Sequence, residues 1–246
     1  MSIDNEFIYG RNAVIEALKG DTPINKILLV NEHGGSIGVI KTLAREKGII
    51  FSITTKEKLT AITGTSSHQG VLAYLSARKY DTLEDILEHA RNLGQDPFVI
   101  VLDEIQDPHN LGAIIRSADA AGAHGIVISK RRQVPLTAAV AKTSAGAIEH
   151  MKIPRVSNIS QTLDKLKKEG VWIVGTDADG DYSLFNCDLK GPVAVVVGSE
   201  GKGMGSLVKK KCDLVLSIPM VGKITSLNAS VAAGLVMYEV LRQRSL

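Results

Sequence analysis

Pro97-Phe-Val-Ile-Val-Leu-Asp-Glu-Ile-Gln-Asp-Pro-His-Asn-Leu-Gly-Ala-Ile-Ile-Arg116 decides the fold class. Its opening run, Phe98–Leu102, is apolar at every position, the pattern of a strand covered on both faces. A polar stretch follows, in which Pro108 disfavours helix at Asp107. Asn110 is then the expected N-cap of a helix over Asn110–Ala121. Within it Arg116 and Asp119 have the i,i+3 spacing of a surface ion pair. A doubly covered strand feeding a helix is the first half of a βαβ unit. The alternation continues: strand Gly125–Ser129, helix Leu136–Ala145, helix Ile159–Glu169, strand Val171–Thr176, strand Val193–Val197, strand Leu214–Ile218 and helix Leu227–Arg242. Strands separated by helices imply parallel pairing, so residues 97–246 read as an α/β domain with a doubly wound parallel sheet.

Upstream the chain changes character. Residues 77–96 carry three basic and five acidic side chains, with Leu83, Ile86, Leu87 and Ala90 at helical spacing. They read as a linker with an amphipathic helix, closed by Gly94 and Pro97. Residues 1–76 read as a small α/β unit: helix Asn12–Lys19, strand Lys26–Val30, helix Ile37–Lys47, strand Ile49–Ile53, helix Thr55–Ile62 with Thr55 as N-cap, and strand Val71–Leu75.

Composition narrows the function classes. Of 246 residues, 44% are hydrophobic and 22% charged, enough for a sizeable core. The net charge of +3 permits an anionic partner without demanding one. Basic and acidic residues number 18 and 14 beyond residue 96 against 8 and 7 in residues 1–76, which puts the excess in the larger domain. Aromatics at 4% argue against a binder that stacks bases on a sheet. Cys187 and Cys212 are too few for a disulfide framework or a cysteine zinc site, and the histidines lack ligand spacing, so no metal is expected. The first residues show no secretory pattern and no long apolar run occurs, which fits a soluble, cytoplasmic protein.

Ligands of open α/β sheets collect at the carboxyl ends of the strands. Three such ends carry unusual residues: Asp103–Arg116, the glycine-rich Gly198-Ser-Glu200-Gly201-Lys-Gly203-Met-Gly205, and Ile218-Pro-Met220 through Ser226-Leu227-Asn228-Ala-Ser230-Val231. The glycine loop is neither a Walker A loop nor a dinucleotide fingerprint. Ser226 or Asn228 is the expected cap of the last helix, whose small face (Ala229, Ala232, Ala233, Gly234) allows close backbone approach. Asp177-Ala-Asp179-Gly-Asp181 resembles the start of a calcium loop, but Tyr182 stands where glycine is required, so a polar turn is expected. Lys130-Arg131-Arg132 and Lys209-Lys210-Lys211 are short basic runs able to touch phosphates.

Together the three segments resemble the SpoU/TrmH family of RNA ribose 2′-O-methyltransferases, within the knotted SPOUT superfamily. The matching motifs are N-x-G-x-I-x-R as Asn110–Arg116, G-S-E-G-x-G-M as Gly198–Met204, and I-P-M-x-G with S-L-N-x-S-V as Ile218–Val231. Residues 1–76, from Tyr9-Gly-Arg-Asn12 to His68-Gln-Gly-Val71, look like the family's RNA substrate-binding domain; with that extra domain the chain as a whole most resembles bacterial 23S rRNA guanosine-2′-O-methyltransferases of the RlmB type. The resemblance implies a deep trefoil knot in residues 97–246. It implies S-adenosylmethionine as cofactor, held near Gly198, Ile218 and Leu227 with Val197, Ser199, Gly201 and Met220. It also implies catalytic or positioning roles for Arg116, Asn110, Glu200, Ser226 and Asn228, and a homodimer through the C-terminal domain. The expected substrate is 23S rRNA, with tRNA as the alternative. A non-catalytic rRNA-binding protein of the same fold and a nucleotide-dependent oxidoreductase are the competing classes.

Overall fold

The computed structural model describes residues 6–32, 34–199 and 201–245. It divides into two compact units, Met1–Lys79 with Pro135–Ala139, and Tyr80–Val134 with Val140–Leu246.

The first unit is a four-stranded sheet in the order β1 (Phe7–Tyr9), β4 (Val71–Leu75), β2 (Ile24–Val30), β3 (Ile50–Thr54). Only β2 and β3 run parallel; β1 and β2 each pair β4 antiparallel. Strand periodicity sorts the side chains of β2. Ile27 and Leu29 pack with Val14 and Leu18 of α1 (Arg11–Lys19) and Ile37 and Ile40 of α2 (Gly35–Glu46), while Leu28 and Val30 pack with Leu59 of α3 (Lys56–Thr63) on the other face. Thr55 caps α3, its Oγ1 accepting from the Lys58 amide. The two segments that marked the unit's ends in sequence lie side by side: Gly10 N donates to Val71 O at 3.2 Å and Arg11 N to Gln69 Oε1 at 2.8 Å.

The second unit holds seven strands in the order β7 (Arg155–Val156), β6 (Gly125–Ser129), β5 (Phe98–Leu102), β10 (Val193–Val197), β8 (Trp172–Thr176), β11 (Leu214–Ser217), β9 (Tyr182–Ser183). Every pairing is parallel, so all carboxyl ends share one edge. β5 and β10 are buried at every position, as their apolar runs require. Each fully buried Val, Leu or Ile contributes about 1.5–3 kcal/mol. The helix read as part of a linker, α4 (Leu83–Asn92), lies in this unit: Leu83, Ile86 and Leu87 pack with Val99, Val101 and Val127. Its start is fixed by a capping box between Thr82 and Asp85. The last helix, α9 (Ala229–Arg244), reaches back to where the sheet begins. There Arg244 donates to the carbonyls of Asp96, Pro97 and Gly191 at 2.9, 3.1 and 2.7 Å, its guanidinium over the Phe98 ring.

Three local expectations are corrected. Helix α5 spans Pro108–Ala120 and is capped by Asp107, whose Oδ1 accepts from the His109 amide at 3.0 Å, not by Asn110. Pro108 occupies N1, where its missing N–H costs nothing, and this starts the helix two residues earlier than expected. Helix α6 is only Ala138–Thr143, because Ala145 (φ +50°) and Gly146 (φ +92°) turn the chain. Arg116 makes no ion pair with Asp119 among the described residues. No helix of the described residues is long and apolar enough to cross a membrane.

Candidate active site

The loop after β10 is a tight hairpin. Ser199 N donates to Gly203 O at 3.0 Å and Gly203 N to Ser199 O at 2.9 Å. This folds the chain back onto Gly198, where a Cβ would lie 2.2 Å from the Gly203 carbonyl carbon and 2.3 Å from the Met204 nitrogen. Only glycine fits there. The hairpin is tied to the end of β5 by Asp103, whose Oδ2 accepts from the Gly205 amide at 2.7 Å. Burial pushes the Asp103 carboxyl above its ordinary value, against the Gly205 amide, and the adjacent Glu104 adds to the rise. Glu200 lies outside the described residues.

A second junction joins the other two segments. Asn228 caps α9, its Oδ1 accepting from the amides of Ser230 and Val231 at 2.9 and 3.3 Å. Its Nδ2 donates to Asn110 Oδ1 at 3.0 Å. Because α5 begins at Pro108, Asn110 sits inside its first turn, buried and able to face α9. Gly112, one residue beyond Leu111, has Thr143 so close that a Cβ would lie 2.5 Å from the threonine Cβ. Arg116 is further along α5, exposed, with no hydrogen bond or ion pair among the described residues.

Between the carboxyl ends of β8, β10 and β11 and the start of α9 lies a cleft of about 960 Å³. Val197, Gly198, Ser199, Gly201, Ile218, Met220 and Leu227 all line it, as do Ser226 and Asn228; Asn110 and Arg116 do not. Its size falls within the range of pockets for small cofactors. One wall is an ion pair that the motifs did not reveal, Lys209 Nζ to Asp177 Oδ2 at 2.9 Å. Burial pushes the Asp177 carboxyl up, but the Lys209 ammonium and the Asp179 amide together hold it below its ordinary value, while Lys209 is raised by the same bond. The signal was present, since Asp177 directly follows a strand's carboxyl end. Its Asp-x-Asp-x-Asp pattern drew attention to calcium instead.

Comparison with known proteins bears on the whole chain. Residues 97–238 match the model of the SpoU rRNA methylase family, and residues 7–81 match the model described as RNA 2′-O ribose methyltransferase substrate binding. A Bacillus subtilis relative named for the TrmH family of tRNA/rRNA methyltransferases (YacO) is 50% identical, covering 100% of this chain and 98% of its own. A Staphylococcus saprophyticus relative named for the same family is 45% identical over 97% of this chain and 96% of its own. Among solved structures, the SpoU methyltransferase AviRb from Streptomyces viridochromogenes, in complex with AdoMet, superposes with a TM-score of 0.61 at 26% identity, covering 97% of this chain and 90% of that one. An AdoMet-bound rRNA methyltransferase from Sinorhizobium meliloti gives a TM-score of 0.60 at 25% identity, over 96% and 86%. The Gly198 hairpin, the Asn110–Asn228 junction and the cleft between them are therefore features of a protein that belongs to the SpoU rRNA methylase family.

Proposed function

We propose that the chain transfers the methyl group of S-adenosylmethionine to the ribose 2′-hydroxyl of one nucleotide, a guanosine, in 23S rRNA. The observation that carries this reading is the Asn110–Asn228 junction, which fixes the N-x-G-x-I-x-R helix against the cap of α9 beside the cleft. The residues present fit the cofactor. Gly198 leaves backbone exposed where any side chain would collide, and Ile218, Met220 and Leu227 supply apolar walls. When bound, S-adenosylmethionine supplies an electrophilic methyl on a cationic sulfur, so attack by a hydroxyl oxygen removes charge rather than creating it.

The protein's tasks are then alignment and management of the hydroxyl proton. Arg116 presents a planar fork of N–H donors to solvent on the helix that Asn110 anchors. A guanidinium keeps its proton near neutral pH, so its role is to stabilise the developing alkoxide or dock the adjacent phosphate. Asn110 and Asn228 position α5 and α9, while Ser226 lines the cleft with Asn228. Glu200 belongs to the same motif as Gly198. The trefoil knot accompanies this reading, as does a homodimer through the second unit. Supporting the dimer, Val231, Leu235 and Tyr238 expose about half their surface on α9 beside Ala113 and Ser117 of α5.

The first unit's match to a substrate-binding family supports an RNA substrate. Ribosomal RNA is preferred because the catalytic unit matches a family described by rRNA; tRNA is the second reading, since the relatives are named for both. Incubating the full chain with labelled cofactor and rRNA or tRNA from a strain lacking it, then mapping the label, tests the proposal. Label on a guanosine ribose of 23S rRNA is expected. Label on a base overturns the 2′-O assignment, and label on tRNA alone overturns the choice of rRNA.

A further inference from the structure

We propose that the loop after β6, Lys130-Arg131-Arg132, with Arg155 of β7, binds the phosphodiester backbone of the RNA strand that flanks the methylated nucleotide. The inference rests on the RNA methyltransferase reading and names a contact that reading does not supply.

Position is the first argument. β6 is two strands from β10 at the same carboxyl edge, about 10 Å at ordinary strand spacing. That spacing puts the end of β6 within reach of the phosphates that neighbour a target ribose held at the β10 side.

Charge is the second. Arg155 Nη2 donates to the Lys130 carbonyl at 3.3 Å, which places the guanidinium beside that lysine. Lys130 is held below its ordinary value by burial and then by Arg155. Arg131 and Arg132 are exposed on the same loop. Arg132 pairs with Glu104 at 3.1 Å but keeps 76% of its side-chain surface. Phosphate contacts of this kind supply most of the sequence-independent affinity for nucleic acid, which suits a chain poor in aromatics.

Fixation is the third. Glu104 (φ +65°) and Arg132 (φ +54°) are both non-glycine residues in the left-handed region, and they face each other across the ion pair. Such conformations are costly for residues with a side chain and persist where surrounding contacts over-determine them. Here Ile105 N donates to Gln133 Oε1 at 2.8 Å, Val134 N to Ile105 O at 2.9 Å, Lys130 N to Val156 O at 2.8 Å, and Ser129 Oγ to Arg131 O. A solvated basic face needs none of this. A phosphate site does, because cations already held in place lose less entropy on binding.

The test uses the full chain and a fluorescently labelled 23S rRNA transcript. Arg131→Ala removes a side chain that makes no hydrogen bond or ion pair among the described residues, so the fold is undisturbed; Arg131→Ala/Arg132→Ala removes both exposed cations. We expect the double variant to bind RNA at least about tenfold more weakly, with a salt dependence shallower by about one unit per lost contact. S-adenosylmethionine affinity and turnover at saturating RNA stay at wild-type values. RNA affinity and salt slope both unchanged overturn the proposal, as does a loss of turnover with unchanged RNA affinity. A wild-type chain that binds RNA through this loop but methylates none refutes the functional reading and leaves the loop assignment standing.

Discussion

Gly198→Ala is the sharpest probe of the cleft. The new Cβ meets only backbone, at 2.2 Å from Gly203 C, 2.3 Å from Met204 N and 2.6 Å from Gly203 O, so no side chain can swing aside. Either the hairpin opens and loses its two Ser199–Gly203 hydrogen bonds, about 1 kcal/mol each, or it stays closed at an overpacking cost of about 1–3 kcal/mol. Across the two routes the closed loop rises by about 1–3 kcal/mol, which weakens any ligand selecting that form by about 5- to 150-fold. Calorimetric titration with S-adenosylmethionine, paired with thermal unfolding, reads this directly. Two controls bracket the mechanism. Gly191→Ala, with no atom near the new Cβ and no left-handed φ, leaves affinity unchanged. Gly201→Ala has open space but φ +79°, so it carries only backbone strain of about 1–2 kcal/mol and a smaller loss. A folded Gly198→Ala protein that binds the cofactor within about threefold of wild type refutes the hairpin as the cofactor cradle.

Three further outcomes are expected. Arg116→Ala lowers single-turnover methyl transfer by about 10²- to 10³-fold with cofactor affinity retained, whereas Arg116→Lys keeps the charge, loses the fork and falls between; unchanged turnover in Arg116→Ala removes that residue from the mechanism. Asn228→Ala removes the α9 cap, at about 1 kcal/mol in chemical denaturation, while Asn228→Asp can still cap but cannot donate to Asn110, so near-normal stability with impaired turnover is the distinguishing result. Asp103→Asn should stabilise the protein at neutral pH, because a carboxyl raised in the folded state contributes stability at acidic pH that is lost as pH rises through its folded value. Urea titrations at several pH values check the sign: the advantage of the variant shrinks on acidification, and an advantage that grows on acidification contradicts the assignment.

The elements most legible in sequence were strands buried along most or all of their length. β4, β5, β6 and β10 lie where their apolar runs placed them, since a strand covered on both faces admits few polar residues. β1, β7 and β9 were missed because two- or three-residue edge strands exist only through their neighbours and leave no periodicity to read. The start of α5 was displaced for a different reason: Asn110 and Asp107 are both good caps, and the Asp-Pro pair that decides between them was read as a barrier rather than a beginning. That displacement hid why Asn110 matters, since a residue in the first turn can face α9 while a capping residue is committed to its own helix. Of the candidate site, the glycine hairpin and the cleft-lining residues were legible as motifs, but the Asp177–Lys209 wall joins residues 32 positions apart and belongs to no motif. The shift of α4 into the second unit has a similar cause, because its apolar stripe shows that it packs without showing against what.

The Arg244 clasp has a consequence for the order of synthesis. The carbonyls it engages, at Asp96, Pro97 and Gly191, stand at the opening of the first and fourth long strands of the second unit, yet the side chain that engages them is made after both. The helix that carries it also begins at Asn228, the partner of Asn110. A nascent chain emerging from the ribosome thus holds most of this sheet without the helix that pins its starting edge and docks the N-x-G-x-I-x-R segment. Contacts spanning 147 and 118 residues cannot nucleate early. Completion of the fold and assembly of the site are therefore one late event, and a chain that has not yet folded α9 lacks the Asn110–Asn228 junction that completes the site.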